Sequence, residues 1–326
     1  MKRTLVFLAQ RLVLLIVAVL ALSLVIFAAV RVLPGDVAQI MAGMNAPESR
    51  VETLREQLGL SRPWWVQYGN WLSGILHGDL GTSLTSGVPI ASQMADRASI
   101  TLPLVCYSLL IALVLGISFG VISVIARASW LRSTLHLLCL TLAAVPAIWA
   151  GLLIILLFGK GVGLVGIFPA QGIPEARWAA SASMFASLTL PALSVGIIVA
   201  ATIMRHTRAQ LLSVQDHPAV IFAMANGATY AQSMVRVGLR LVLAQLVSVA
   251  GLAFAEMITG VMVIERLFTL PGLGSGLMID MSQRDLLAVP SQILLLAVVI
   301  ITIGVCVDIA HHLLDPRVNY MDKEQA

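Results

Sequence analysis

Long apolar runs separated by short polar breaks dominate this chain. The first runs from Leu12 to Val30. Five more follow at roughly Ile100–Ala126, Leu135–Phe158, Ser187–Met204, Leu241–Ile264 and Pro290–Leu314. Each is near or above the ~20 residues that cross a bilayer as a helix. The pattern predicts an all-α integral membrane protein with six transmembrane helices. Two polar stretches stand out between the runs. Residues 34–99 are long enough to form a sizeable first extracytoplasmic loop, and residues 205–240 are the longest break in the C-terminal half. The predicted organisation is a tail and first helix over 1–33, the loop region over 34–99, a five-helix core over 100–314 and a tail over 315–326.

Basic residues orient this frame. Lys2, Arg3 and Arg11 precede the first run, and Arg205, Arg208, Arg236 and Arg240 flank the 205–240 break. With both termini in the cytoplasm, the short outer loops hold only Lys160, Arg177, Arg266 and Arg284. That asymmetry is the one lysine and arginine impose on membrane proteins, and it places the 205–240 loop in the cytoplasm. The first run is long for a cleaved signal peptide, and no small-x-small site follows before Pro34, which favours a retained helix.

The 205–240 break contains a short helix with clear punctuation. Pro218 suits a first helical turn, where its missing N–H costs nothing. Gly227 suits the left-handed residue that ends a helix. Ala219, Val220, Ile221, Phe222, Ala223, Met224 and Ala225 lie between them, apolar nearly all round. Two turns are too short to be stable alone in water. Such a surface either docks into a groove on another protein or folds back on its own bundle.

The 34–99 loop carries its own elements. Pro47 to Leu58 reads as an amphipathic helix with Val51, Leu54 and Leu58 on one face, closed by Gly59. Trp64, Trp65, Tyr68 and Trp71 then suggest a helix at a membrane interface. The glycine-rich run from Gly78 to Ser83 turns the chain. Pro146 and Pro191 fall in or at the start of spans, where proline frees a carbonyl and bends the axis. Glycines such as Gly116, Gly120, Gly151, Gly196, Gly251 and Gly260 suit close helix packing.

Composition narrows the chemistry. Of 326 residues 59% are apolar and 11% charged, with mean hydropathy +0.96; soluble domains carry about 25% charged residues. The net charge of +4 fits loop arginines and does not point to nucleic acid. Cys106, Cys139 and Cys306 lie far apart, with no metal spacing. Gly159-Lys160 lacks the upstream glycine of a phosphate-binding loop, and no zinc-protease or serine-hydrolase motif occurs. Glu256 falls within the fifth run, where a carboxylate either borders a pathway or sits in its water-filled half. Asp308 with His311 and His312 reads as a helix-end ion pair or a solvated helix end rather than a metal site, since adjacent histidines point to different faces.

Several stretches resemble the permease subunits of ABC importers for dipeptides, oligopeptides and nickel, and specifically the first permease of each pair. They are Leu33-Pro34-Gly35-Asp36; Gln57-Leu58-Gly59-Leu60; Pro63 with Trp65-Val66-Gln67-Tyr68 and Trp71; and His77-Gly78-Asp79-Leu80-Gly81 with Ser83. Further on stand Ala144-Val145-Pro146 with Trp149 and Gly151; Leu190-Pro191-Ala192-Leu193; Arg205 with Thr207-Arg208; Pro271-Gly272-Leu273-Gly274; Arg284-Asp285; and Leu314-Asp315-Pro316-Arg317. They run in order over nearly the whole chain.

The resemblance implies a multi-pass subunit of a bacterial or archaeal plasma membrane, embedded in lipid. It would share a translocation pathway with a second, similar permease, receive solute from an extracytoplasmic binding protein, and hold no cofactor of its own. Two separate subunits would bind ATP and magnesium. The family's cytoplasmic coupling helix maps to Asp216, Pro218, Ile221, Phe222, Ala223, Ala225, Asn226 and Gly227, of which Ala223, Ala225 and Gly227 match its motif. Ile221, Phe222, Met224 and Asn226 stand where the family usually has polar or basic residues. Pro146 and Glu256 are candidate pathway residues. Trp64, Trp65, Pro271, Gly272 and Gly274 are candidate contacts for the extracytoplasmic partner. The rival classes are a stand-alone secondary transporter or channel, which would want ion sites and inverted repeats, and a membrane enzyme, which would want a nucleophile or metal.

Overall fold

The computed structural model describes residues 2–32, 37–42, 46–57 and 59–314. Leu33-Pro34-Gly35-Asp36, Leu58, Asp315-Pro316-Arg317 and the tail lie outside the described residues. The helices, in chain order, are α1 (Lys2–Val32), α2 (Val37–Ala42), α3 (Glu48–Gln57), α4 (Trp64–Leu76), α5 (Ile90–Ile125), α6 (Ser129–Ala144) and α7 (Ala147–Phe158). They continue as α8 (Ser181–Ser213), α9 (Pro218–Ala225), α10 (Tyr230–Ser233), α11 (Leu239–Leu267), α12 (Leu273–Ser282) and α13 (Ala288–Leu314). A five-residue π-helix, Met234–Gly238, joins α10 to α11. Among the described residues, extended pairing is confined to two isolated bridges, Thr82 with Pro89 and Gly159 with Phe168.

Among the described residues, five segments are long and apolar enough to cross a membrane: Val6–Ala29, Ile90–Ile125, Arg177–Ser213, Tyr230–Leu267 and Ala288–Leu314. The expected third span, Leu135–Phe158, is not one rod. It is α6 and α7, which meet at 110° and make a sixth span only if the pair crosses together. Pro146 explains the break. It has no N–H to donate, and its ring disfavours a helical residue before it. Val145 (ψ 123°) and Pro146 (ψ 142°) are both extended.

A second correction concerns the 205–240 break. The expected span ended at Met204, yet α8 stays helical to Ser213. Arginine, glutamine and leucine are good helix formers, and Thr207 is buried on the same face as Leu211. α11, with its π-helical and α10 lead-in, begins correspondingly early, so only residues 214–229 lie between the two long helices.

The chain forms two compact units, Met1–Ser99 with Ser275–Ile301, and Ile100–Gly274 with Thr302–Ala326. In the second, α8 is the central rod, with 61% of its most apolar stretch buried. It meets α6, α7 and α11. Glycines allow the closest approaches. A Cβ at Gly116 or Gly120 of α5 would collide with Ile203 or Thr207 of α8, and one at Gly196 of α8 with Ile111 of α5. Small residues of this kind let backbones close up where lipid offers no hydrophobic drive.

In the first unit, α4 lays an aromatic face on α1. The Tyr68 hydroxyl and Ser23 Oγ are 2.8 Å apart, and Phe27 stacks with Tyr68 and Trp71 at 5.4 and 5.8 Å. Arg97 makes a bidentate ion pair with Asp280 and donates to Gln292 Oε1 at 3.1 Å. The Gly81–Ser83 turn and Arg284-Asp285, far apart in sequence, come together here. Ser83 Oγ donates to Asp285 Oδ2 at 2.5 Å, while Asp285 Oδ1 accepts from Leu287 N and Ala288 N and so caps α13.

Candidate functional site

The segment between α8 and α11 is built from local signals. Pro218 occupies the first turn of α9, and the His217 side chain accepts from Ala219 N at 3.2 Å. The C-terminus closes with paired bonds, Gly227 N to Met224 O (3.0 Å) and Ala228 N to Ala223 O (3.2 Å). This double closure needs a left-handed residue, and Gly227 supplies it at φ +89°. Asn226 Nδ2 also donates to Phe222 O at 2.8 Å. Thr229 and Gln232 then form a reciprocal capping box that starts α10. Three helix-terminus devices within sixteen residues fix where this short rod begins, ends and turns.

α9 is not bare all round. Val220 is fully buried in a cluster with Leu211 of α8, Val124 of α5, Met234, and Val242 and Leu246 of α11, and Met224 packs against its edge. The opposite side is open: Ile221 is 50% exposed and Phe222 71%. Asp216, Pro218, Ala225, Asn226 and Gly227 are exposed with them, and Ala223 is partly covered. The helix therefore folds back on its own bundle by one face only. One face is rooted in the ends of three long helices, and the other is presented. Just beyond it the Ser233 hydroxyl is buried with no hydrogen-bond partner, immediately before the π-helical turn.

The other candidates lie elsewhere. Glu256 is on the exposed face of α11 with Leu252, Thr259 and Gly260, at helical spacing. Nothing lies within 4 Å of a Cβ built at Gly260, so this face is open in the single chain. Pro146 is exposed at the α6–α7 bend. Trp64 and Trp65 are exposed at the start of α4, edge to face at 5.8 Å. Of the Pro271-Gly272-Leu273-Gly274 run, Pro271 is exposed while Gly272 and Gly274 are buried. Their burial gives the glycines a packing role, against the Glu265 carboxylate and Met262.

Sequence reasoning missed the group that organises that corner. Glu265 is fully buried. Thr101 Oγ donates to its Oε1 at 2.5 Å, and Thr101 Oγ in turn accepts from Leu273 N at 2.7 Å. Leu270 N donates to the Glu265 carbonyl at 2.8 Å. The signal was present as an acidic residue directly after an apolar run, but its partner Thr101 is 164 positions away. At the other end of α11, Ser248 Oγ and His311 Nδ1 are 3.0 Å apart.

The structure is thus a bundle of long apolar helices that carries a rooted, half-open short helix. Residues 112–320 match the family described as "Binding-protein-dependent transport system inner membrane component", and residues 4–105 match its N-terminal component. The chain belongs to this family. It is 34% identical over 309 residues to a protein of Brucella abortus (strain 2308), provisionally named a peptide transport system permease, covering 94% of this chain and 95% of the relative. It is 32% identical over 335 residues to the dipeptide transport system permease of Escherichia coli (strain K12), covering 96% and 98%. A glutathione transport system permease of Escherichia coli O6:H1 is 31% identical over 311 residues, covering 95% and 98%. The chain is accordingly a permease subunit of a binding-protein-dependent importer.

Proposed function

We propose that this chain is one of two permeases of an ATP-driven importer for short peptides or a related small solute, nickel and metal chelates among the candidates. Two separate ATP-binding subunits dock on α9 in the cytoplasm, and an extracytoplasmic binding protein delivers solute on the far side. The observation that carries this reading is the two-faced α9. Val220 ties it to α5, α8 and α11, while Ile221 and Phe222 stand in solvent. Exposed apolar side chains on a short, firmly capped helix suit an anchor for a groove. A partner that moves α9 moves the ends of three long helices with it.

The names of the relatives support a peptide-like solute. The exposed α11 face with Glu256 is assigned to the pathway shared with the second permease, because a carboxylate turned to lipid is costly. Trp64, Trp65 and Pro271 are assigned to the side that receives the binding protein. ATP-state-dependent docking on α9 would favour one conformation over the other, which binding alone does not do.

A cysteine placed at Phe222 tests the docking. It should form a crosslink with an ATP-binding subunit in membranes, in a yield that changes with nucleotide. If the same membranes give crosslinks from a cysteine elsewhere in 214–229 but none from position 222, α9 docks by another face. Ligand capture by the system's binding protein names the solute.

A further inference from the structure

A small pocket lies between α6 and α8, away from α9 and from the Glu265 corner. Its cavity volume is 190 Å³, and its walls include His136 and Leu140 of α6 and Met204, Arg205, Arg208 and Leu212 of α8. The spacings place these residues on one face of each helix: 136 and 140 on α6, and 205, 208 and 212 on α8. Arg208 Nη1 is 3.3 Å from His136 Nδ1. A guanidinium only donates, so Nδ1 is the acceptor at this contact, which leaves Nε2 as the ring's donor.

The polar side of the pocket is formed by Arg205, Arg208 and the ring of His136. Arg208 Nε is buried without a hydrogen-bond partner, and among the described residues no carboxylate pairs with Arg205 or Arg208. The Arg208 guanidinium is thus partly withdrawn from water with no carboxylate beside it, and the exposed Arg205 lines the same pocket, where the apolar run of α8 ends. A charge withdrawn from water and left unpaired is costly. The other walls are apolar, and Leu140 and Leu212 are themselves 50% and 39% exposed. Guanidinium forks match a phosphate in two-point geometry, and greasy walls open to the bilayer match an acyl chain.

We infer that this pocket binds the phosphate group of an anionic phospholipid, with Arg205, Arg208 and the His136 Nε2 proton as donors and Leu140 and Leu212 against the chain. Free phosphate offers the same anion but nothing for the apolar walls. The inference requires only that the chain lies in a membrane; it does not rest on α9 or on the solute carried.

The intact transporter is reconstituted in nanodiscs of equal phosphatidylglycerol and phosphatidylcholine, and retained lipid is counted by native mass spectrometry after release. Retention should favour phosphatidylglycerol by about five-fold or more, since each basic residue near the surface adds to anionic-lipid binding. The Arg205→Gln/Arg208→Gln variant should fall to parity. Leu140→Trp, which fills the pocket and keeps both charges, should fall with it and covers the case in which the double variant does not fold. Unchanged preference in these variants overturns the proposal. Release of the lipid by millimolar inorganic phosphate overturns it also, in favour of a free-anion site. Retention is read without nucleotide or solute, so it stands or falls separately from transport.

Discussion

The two ends of α11 are built on opposite plans. At one end Glu265, Thr101 and the Leu273 amide form a closed chain of short hydrogen bonds with no exposed member. At the other the Ser233 hydroxyl is buried without a partner, the helix runs through a π-turn, and Phe222 stands in solvent. A satisfied buried network resists deformation, while unpartnered groups and π-turns cluster where structure has to move or be met. The contrast separates residues that close a corner from residues left exposed or unsatisfied.

The sharpest way to test that contrast is to crowd the closed end. Gly272→Val puts a side chain where the Glu265 carboxylate lies. The cost should be about 3 kcal/mol, the upper range for overpacking. It should appear as loss of folded chain from membranes and a lower thermal midpoint in detergent, whatever the ATPase does.

The open end should respond differently. Phe222→Asp should leave insertion and thermal midpoint unchanged. It should weaken recovery of the ATP-binding subunit by about thirty-fold, as removal of a central apolar anchor of about 2 kcal/mol does. Equal recovery would move the docking surface off α9.

Gly227→Val tests the turn between them. Holding a branched residue at φ +89° costs about 1–3 kcal/mol, so the short helix should lose its closure while the long helices persist. Uptake and solute-stimulated ATP hydrolysis should vanish with the chain still in the membrane. Normal uptake would remove the turn from the coupling path.

The smallest effects come from a matched pair. Thr101→Val deletes the hydroxyl that joins the Leu273 amide to Glu265 Oε1, and should lower stability by about 1–2 kcal/mol. Ser233→Ala deletes a hydroxyl that bonds to nothing, and should change stability by less than about 0.5 kcal/mol in either direction. Equal effects of the two would erase the distinction between the ends.

Local chemistry made α9 readable in advance. Pro218 and Gly227 each act within a few residues, so their consequences are visible in the chain itself. The family motifs were readable for the same reason, though not what they touch. Ser83 and Asp285 are 202 positions apart, and Glu265 and Thr101 are 164 apart. Nothing local says that a turn and a helix cap share one hydrogen bond.

Two misreadings had different causes. The end of α8 was placed at Met204 because hydropathy falls there, but a helix outlasts its apolar stretch when the following residues favour helix and keep one face covered. The α6–α7 break was underestimated because proline in a membrane helix is often absorbed as a modest bend, and only the extended Val145 shows a sharp corner. Arg97 and Asp280 are 183 positions apart, and only the fold reveals that they are paired and largely buried.

The uninterrupted length of α11 has a mechanical corollary. At 1.5 Å per residue its 29 residues make a beam about 44 Å long. One extremity carries the socket around Val220, and the other is pinned at Glu265. Pivoting such a beam by about 5° about one extremity sweeps the opposite one through about 4 Å, roughly the width of a methyl group. With the Glu265 end held, a push at the Val220 end would be carried as tilt along the whole rod, largest where it is applied and fading toward the closed end, with no hinge needed along the way.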